Sequence, residues 1–187
     1  MIKFKRVTET GPEPISLSEA KSWLRVETAD EEDMIRSLLL AARSTVETYS
    51  KSPLLMRSYL GTIDAWPEPR TVTIALQPFP LLSALRVYMG GSFVTLPLSA
   101  YVFTTYEGSG CLYVESTAPA PQLNSGGIEL ELTVDPTLRP HYYEPMKMAM
   151  RLLVTRWFAN RGDQIDMSVI PADVRALLAP VMRRRLA

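Results

Sequence analysis

The side chains that could do chemistry here are few. A single cysteine, Cys111, excludes an internal disulfide framework and any multi-thiolate metal site. A single histidine, His141, removes the paired-histidine zinc ligands and most triad arrangements. No serine or cysteine arrangement points to His141, so it reads as a hydrogen-bonding residue at an element boundary. Carboxylate chemistry stays open. Asp30-Glu31-Glu32-Asp33 is the densest acidic cluster, but acids in a first helical turn meet the positive end of the helix dipole, and no second ligand cluster accompanies them. Glu107, Glu115, Tyr101 and Tyr106 could furnish a small carboxylate-based enzyme, although no acid/base pair stands at a readable spacing. Gly108-Ser109-Gly110 lacks the Lys-Ser/Thr and the helix of a phosphate-binding loop and reads as a hairpin turn. Cys111 itself reads as a small core residue in a strand. The expectation is a protein with no catalytic residues, no metal and no cofactor.

The elements that must position these residues come in three blocks. Residues 1–14 read as an extended, partly mobile arm closed by Gly11-Pro12-Glu13-Pro14. Ser16-Leu17-Ser18-Glu19 has capping-box spacing, predicting a short helix to about Arg25 that buries Leu17, Ala20, Trp23 and Leu24. Thr28-Ala29-Asp30-Glu31 offers a second capping box for a helix over about 30–50. Its apolar face is Met34, Ile35, Leu38, Leu39, Ala42, Val46 and Tyr49, and Ser52-Pro53 ends it.

From Leu55 to Pro136 the period changes. Short β-rich runs (59–63, 72–76, 85–88, 93–96, 101–104, 111–115, 128–134) alternate with glycine turns. The last alternates most cleanly, with Ile128, Leu130, Leu132 and Val134 on one side. A small antiparallel sheet or barrel of about five to seven strands follows.

Then comes a second long amphipathic run from Pro145 to Gly162. Met146, Ala149, Met150, Leu153 and Trp157 recur at steps of three and four, and Leu152, Val154 and Phe158 widen that face. A shorter run from Ile170 to Pro180 and the arginines 183–185 close the chain. The economical packing sets the helix over 30–50 against the one over 145–161. The predicted fold is thus α+β: an antiparallel-packed α-helical core (1–54 and 139–187) carrying an inserted antiparallel β subdomain (55–138).

Charge and hydropathy bound the partners. The 20 basic and 20 acidic residues cancel, which argues against a domain-wide nucleic-acid binder. They are unevenly spread: residues 61–138 hold two basic against seven acidic side chains, residues 139–187 nine against four. No apolar run approaches the ~20 residues that cross a bilayer. The N-terminus leads into Thr8-Glu9-Thr10 rather than an apolar signal core, so synthesis in the cytoplasm and no membrane partner are expected.

Three stretches look familiar together. Residues 14–26 (PISLSEAKSWLRV), with Asp30–Ile35 and Ala41–Tyr49, resemble the N-terminal signature of head–tail connector (adaptor) proteins of tailed bacteriophages, prophages and gene transfer agents. Residues 149–161 are similar to that family's second core helix, and residues 170–180 with Arg183–Leu186 to its C-terminal signature. The resemblance covers both ends, about half the chain. It implies a structural virion protein of the neck, forming a ring, commonly a dodecamer, between the portal protein and the next neck or tail-completion protein. Genomic DNA would pass through without sequence-specific binding. A ring needs heterologous contacts, for which wide apolar helices and opposite charge blocks are suited. Arg183, Arg184, Arg185, Leu186, Val181 and Trp157 are the candidate portal or subunit contacts. For the arginines three readings stand: a solvated helix end, docking on an acidic portal surface, or contact with DNA. Trp157 has a core reading as well. Deleting 181–187 is expected to leave the fold intact and weaken portal attachment.

Overall fold

The computed structural model describes residues 2–106, 109–160 and 170–182. Its strands and helices run β1 (Lys3–Thr10), α1 (Leu17–Leu24), α2 (Glu32–Ser50), β2 (Met56–Ile63), β3 (Thr71–Ile74), β4 (Leu81–Met89), β5 (Ser92–Thr95), β6 (Tyr101–Tyr106), β7 (Ser109–Val114), β8 (Ile128–Val134), α3 (Pro140–Ala159) and α4 (Ala172–Leu178). The class is α+β, as the periodicities require. The chain divides into a β unit, Met1–Thr10 with Met56–Asp135, and a helical unit, Gly11–Leu55 with Pro136–Ala187.

The β unit corrects the first expectation. Residues 3–10 are not a free arm but an edge strand, paired antiparallel to β2 from Lys3 opposite Thr62 to Thr10 opposite Met56. All eight of its residues are exposed, so it carries no alternation to read. It is held by its ladder, by Glu9 accepting from Arg57 at 2.6 Å and Arg6 at 3.1 Å, and by the Phe4 ring lying over Gly61. A Cβ at Gly61 would stand 2.9 Å from Phe4 Cε1.

The strands form two antiparallel sheets rather than one: β1-β2-β8-β4-β5 and β3-β7-β6. In the first, β8 is central and its alternation sets the face. Ile128, Leu130, Leu132 and Val134 are fully buried, with Tyr59 opposite Leu132, Ile63 opposite Ile128, and Leu85 opposite Leu130. Val72, Ile74, Leu112 and Val114 from the second sheet join the same core. The 125–127 turn before β8 is pinned by Asp64, which accepts from the Gly126 amide at 2.6 Å and Ser125 Oγ at 3.2 Å. Those bonds lower the Asp64 pKa below its ordinary range.

In the helical unit α2 and α3 pack against each other, and the predicted faces are the buried ones: Ile35, Leu39, Ala42 and Val46 from α2; Met146, Ala149, Met150, Leu153, Val154 and Trp157 from α3. Two boundaries differ. Glu31 precedes α2 with no side-chain cap, so the Thr28–Glu31 capping box is not used. Helix α3 begins at Pro140 and contains Pro145. The earlier proline occupies an N-terminal position where its missing N–H costs nothing, while Pro145 leaves one carbonyl of the first turns without its helical donor.

Candidate assembly surfaces

Helix α1 starts where the sequence says it should. Ser16 Oγ accepts from the Glu19 amide at 3.2 Å, which is the first half of the capping box. The reciprocal half is absent, because the Glu19 carboxylate pairs instead with Arg151 of α3, with Lys147 at 4.0 Å. Trp23 is consequently not a core residue. It is 48% exposed, donates its indole N–H to Thr155 Oγ1 at 2.9 Å, and lies under the Arg151 guanidinium, 5.5 Å from the ring. Arg25, in the left-handed conformation at φ 57°, joins Glu19, Ser22, Trp23 and Arg151 around an open hollow.

The Arg151 hydrogen bond, aided by Lys147, holds Glu19 below its ordinary value of 4.5. A depressed folded pKa means that this carboxylate contributes fully above the unfolded value, and that the contribution disappears as pH falls through the folded one. Glu19→Gln should therefore lower stability at neutral pH by about 0.5–1 kcal/mol, given its partial exposure. The gap between wild-type and variant melting temperatures should close below about pH 4.5. A gap that persists at pH 2 would show that shape, not charge, is at stake.

The acidic cluster has a structural explanation too. Glu32 sits in the first turn of α2 and pairs with Lys21 and, at 3.5 Å, Arg36. The Lys21 hydrogen bond is the main reason its pKa is lowered. Glu13 and Glu47 both reach Arg43, at 3.1 and 3.7 Å.

The candidate contact residues separate into two groups. Trp157, 6% exposed, and Val181, 1% exposed, are core residues of the helical unit, so neither offers a surface. That corrects their place among the contacts, because three- and four-residue spacing serves a core as well as an interface. It also corrects the expectation for the 181–187 deletion, which would remove a buried side chain. Arg183, Arg184, Arg185 and Leu186 lie outside the described residues.

Of the residues weighed for catalysis, Glu115 lies beside Tyr101, its amide donating to the Ala100 carbonyl at 2.9 Å, while Tyr106 is remote from both. Tyr101 and Tyr106 occupy opposite ends of β6, some 17 Å apart at about 3.3 Å per residue, and Glu115 follows Val114, which pairs with Tyr101. Glu107 and Gly108 lie outside the described residues, between Tyr106 and Ser109, which pair as a hairpin demands. His141 is exposed beside Tyr142, ring centroids 4.6 Å apart. Cys111 is not a core residue, since the inward positions of β7 are Gly110, Leu112 and Val114. Among the described residues no group of three His, Cys, Asp or Glu side chains is placed to hold a metal, and no helix is long and apolar enough to cross a membrane.

The two sheets have contrasting outer faces. On the five-stranded sheet Arg86 reaches Glu131 at 2.6 Å and Glu129 at 3.9 Å. On the three-stranded sheet the cross-strand rows are Val102–Tyr113–Thr71, Thr104–Cys111–Thr73 and Tyr106–Ser109. None of those eight residues is acidic or basic. Sequence reasoning missed this, although a signal existed: from Val87 to Val114 only Glu107 is charged, where the chain's 21% average would put about six.

No protein-family model matches the chain, and no curated protein matches it. Solved structures do. A chain from the neck of an empty gene transfer agent (GTA) particle, computed with C6 symmetry, superposes with a TM-score of 0.70 at 21% identity, covering 99% of this chain and 97% of that one. A chain from the virion of a native gene transfer agent particle gives 0.68 at 18% identity, covering 98% and 97%. One from the neck of a native GTA particle computed with C12 symmetry gives 0.64 at 18%, covering 99% and 97%. Across both units and nearly from end to end, this chain has the fold of chains found in gene transfer agent particles.

Proposed function

We propose that the protein is a head–tail connector: a structural rather than catalytic component of a phage-like particle. It assembles into a ring, most simply of twelve copies, that joins the portal protein to the next neck or tail component. The observation that carries this reading is the near full-length likeness to neck chains, two of them from particles computed with C6 and C12 symmetry. The order of the three sequence signatures supports it independently. In this role DNA passes through the ring and is not read, consistent with a zero net charge. The ring sits in the particle neck, and its subunits are made in the host cytoplasm.

The arginines 183–185 are assigned to the portal, where an acidic surface would receive them. The test is negative-stain microscopy of the protein mixed with its purified candidate portal, which should show rings stacked coaxially. A protein that stays monomeric there and never co-purifies with particles would sink the proposal. Deleting 183–187, which spares the buried Val181, should leave the thermal midpoint unchanged and weaken portal attachment at least tenfold. Unchanged attachment would return the arginines to a solvated chain end.

A further inference from the structure

The stretch from Val87 to Val114 combines two properties that rarely coincide. It has one charged side chain in 28 residues, yet only its inward positions, among them Val87, Leu96, Leu112 and Val114, are buried. It supplies six of the fourteen exposed large hydrophobic side chains among the described residues: Phe93, Val94, Leu98, Val102, Tyr106 and Tyr113. A run that lacks charge because it is core would not leave Leu98 81% and Tyr106 74% exposed. A solvated sheet face would carry charges, as the other outer face does with Arg86, Glu129 and Glu131. Three of the six, Val102, Tyr106 and Tyr113, share the outer face of the three-stranded sheet, whereas Phe93 and Val94 lie on β5 of the other sheet. Exposed apolar side chains on a face without charge mark a contact.

From this we infer that the outer face of the three-stranded sheet, centred on Val102, Tyr106 and Tyr113, is buried against a second copy of this chain in the ring. The inference rests on the connector reading. Charge decides among occupants. DNA phosphates would require lysines or arginines, and the face has none. A component that docks on the finished ring needs a landing surface that stays soluble beforehand and steers its partner, which favours charge. The centres of subunit-to-subunit contacts, by contrast, are depleted of charge and enriched in tyrosine. Strands of four, six and six residues, about 4.8 Å apart at about 3.3 Å per residue, give a footprint of roughly 250 Å². A standard interface buries about 800 Å² per partner, so this face is the centre of the contact and neighbouring residues supply the larger part of its area.

Cys111, the chain's single cysteine, lies in the middle row of this face between Thr104 and Thr73 and is partly exposed. It is therefore a native reporter. In rings assembled on purified portal, alkylation of Cys111 by N-ethylmaleimide should be at least tenfold slower than in dissociated subunits. The double substitution Val102→Lys with Tyr113→Lys, at two directly paired exposed positions, should keep the circular dichroism spectrum and thermal midpoint while abolishing rings. Rings that form with Cys111 alkylated at the free rate would overturn the inference and leave the connector reading standing. Protection that appears only after the next neck component is added would overturn it too, by giving the face to a different protein. If no ring forms on the portal at all, both fall together.

Discussion

Trp157→Ala should cost the helical unit roughly 3–5 kcal/mol of unfolding free energy, the range for a large aromatic removed from a packed core. The side chain is 6% exposed and belongs to the cluster that includes Met150, Leu153 and Val154 of its own helix. The cavity left behind lies in the core cluster shared by the helices of this unit, so the transfer and cavity penalties add. Urea denaturation followed by far-ultraviolet circular dichroism, which the helices dominate, would read the loss as a lower midpoint with little change in slope. The alternative role for Trp157, contact with a neighbouring copy, predicts the opposite pattern: an unchanged subunit midpoint and impaired assembly.

In the β unit the corresponding position is Leu130. It is fully buried on β8, between Gly61 of β2 and Leu85 of β4. Leu130→Ala should destabilise that unit by about 2–5 kcal/mol. Hydrogen exchange would show it as loss of amide protection across β2, β8 and β4. If protection in those strands survives, the alternation on β8 is not what holds the two sheets together.

Much of this architecture was legible, and the residues explain where legibility ends. The face of α3 and the alternation on β8 could be read because each buries one side of a regular element. Strand β1 could not. Its sequence, KFKRVTET, is exposed on both sides and its pairing is with residues some fifty positions away, which no local pattern reports. Trp23 was misplaced for a different reason: its spacing on α1 suits a core, but Arg151 and Thr155 hold the indole at the surface. Cys111 and Trp157 show that residue type alone assigns neither core nor contact. The candidate contact was harder still, since reading it means noticing missing charge rather than a motif, and then learning from the structure that the segment is exposed.

The register of β1, β2 and β8 also has a consequence in time. Thr10 lies opposite Met56, and Arg57 opposite Val134, so the chain leaves and re-enters the sheet at neighbouring points. Each departure postpones a pairing. At a synthesis rate of roughly 5–20 residues per second, β1 waits about 2–10 s for β2, and the apolar face of α2 waits longer for α3, some 90 residues on. The β core cannot close before β8 has left the ribosome, nor the helical core before α3 has. A nascent chain of this design therefore carries an unpaired edge strand and an uncovered helix face for most of its synthesis.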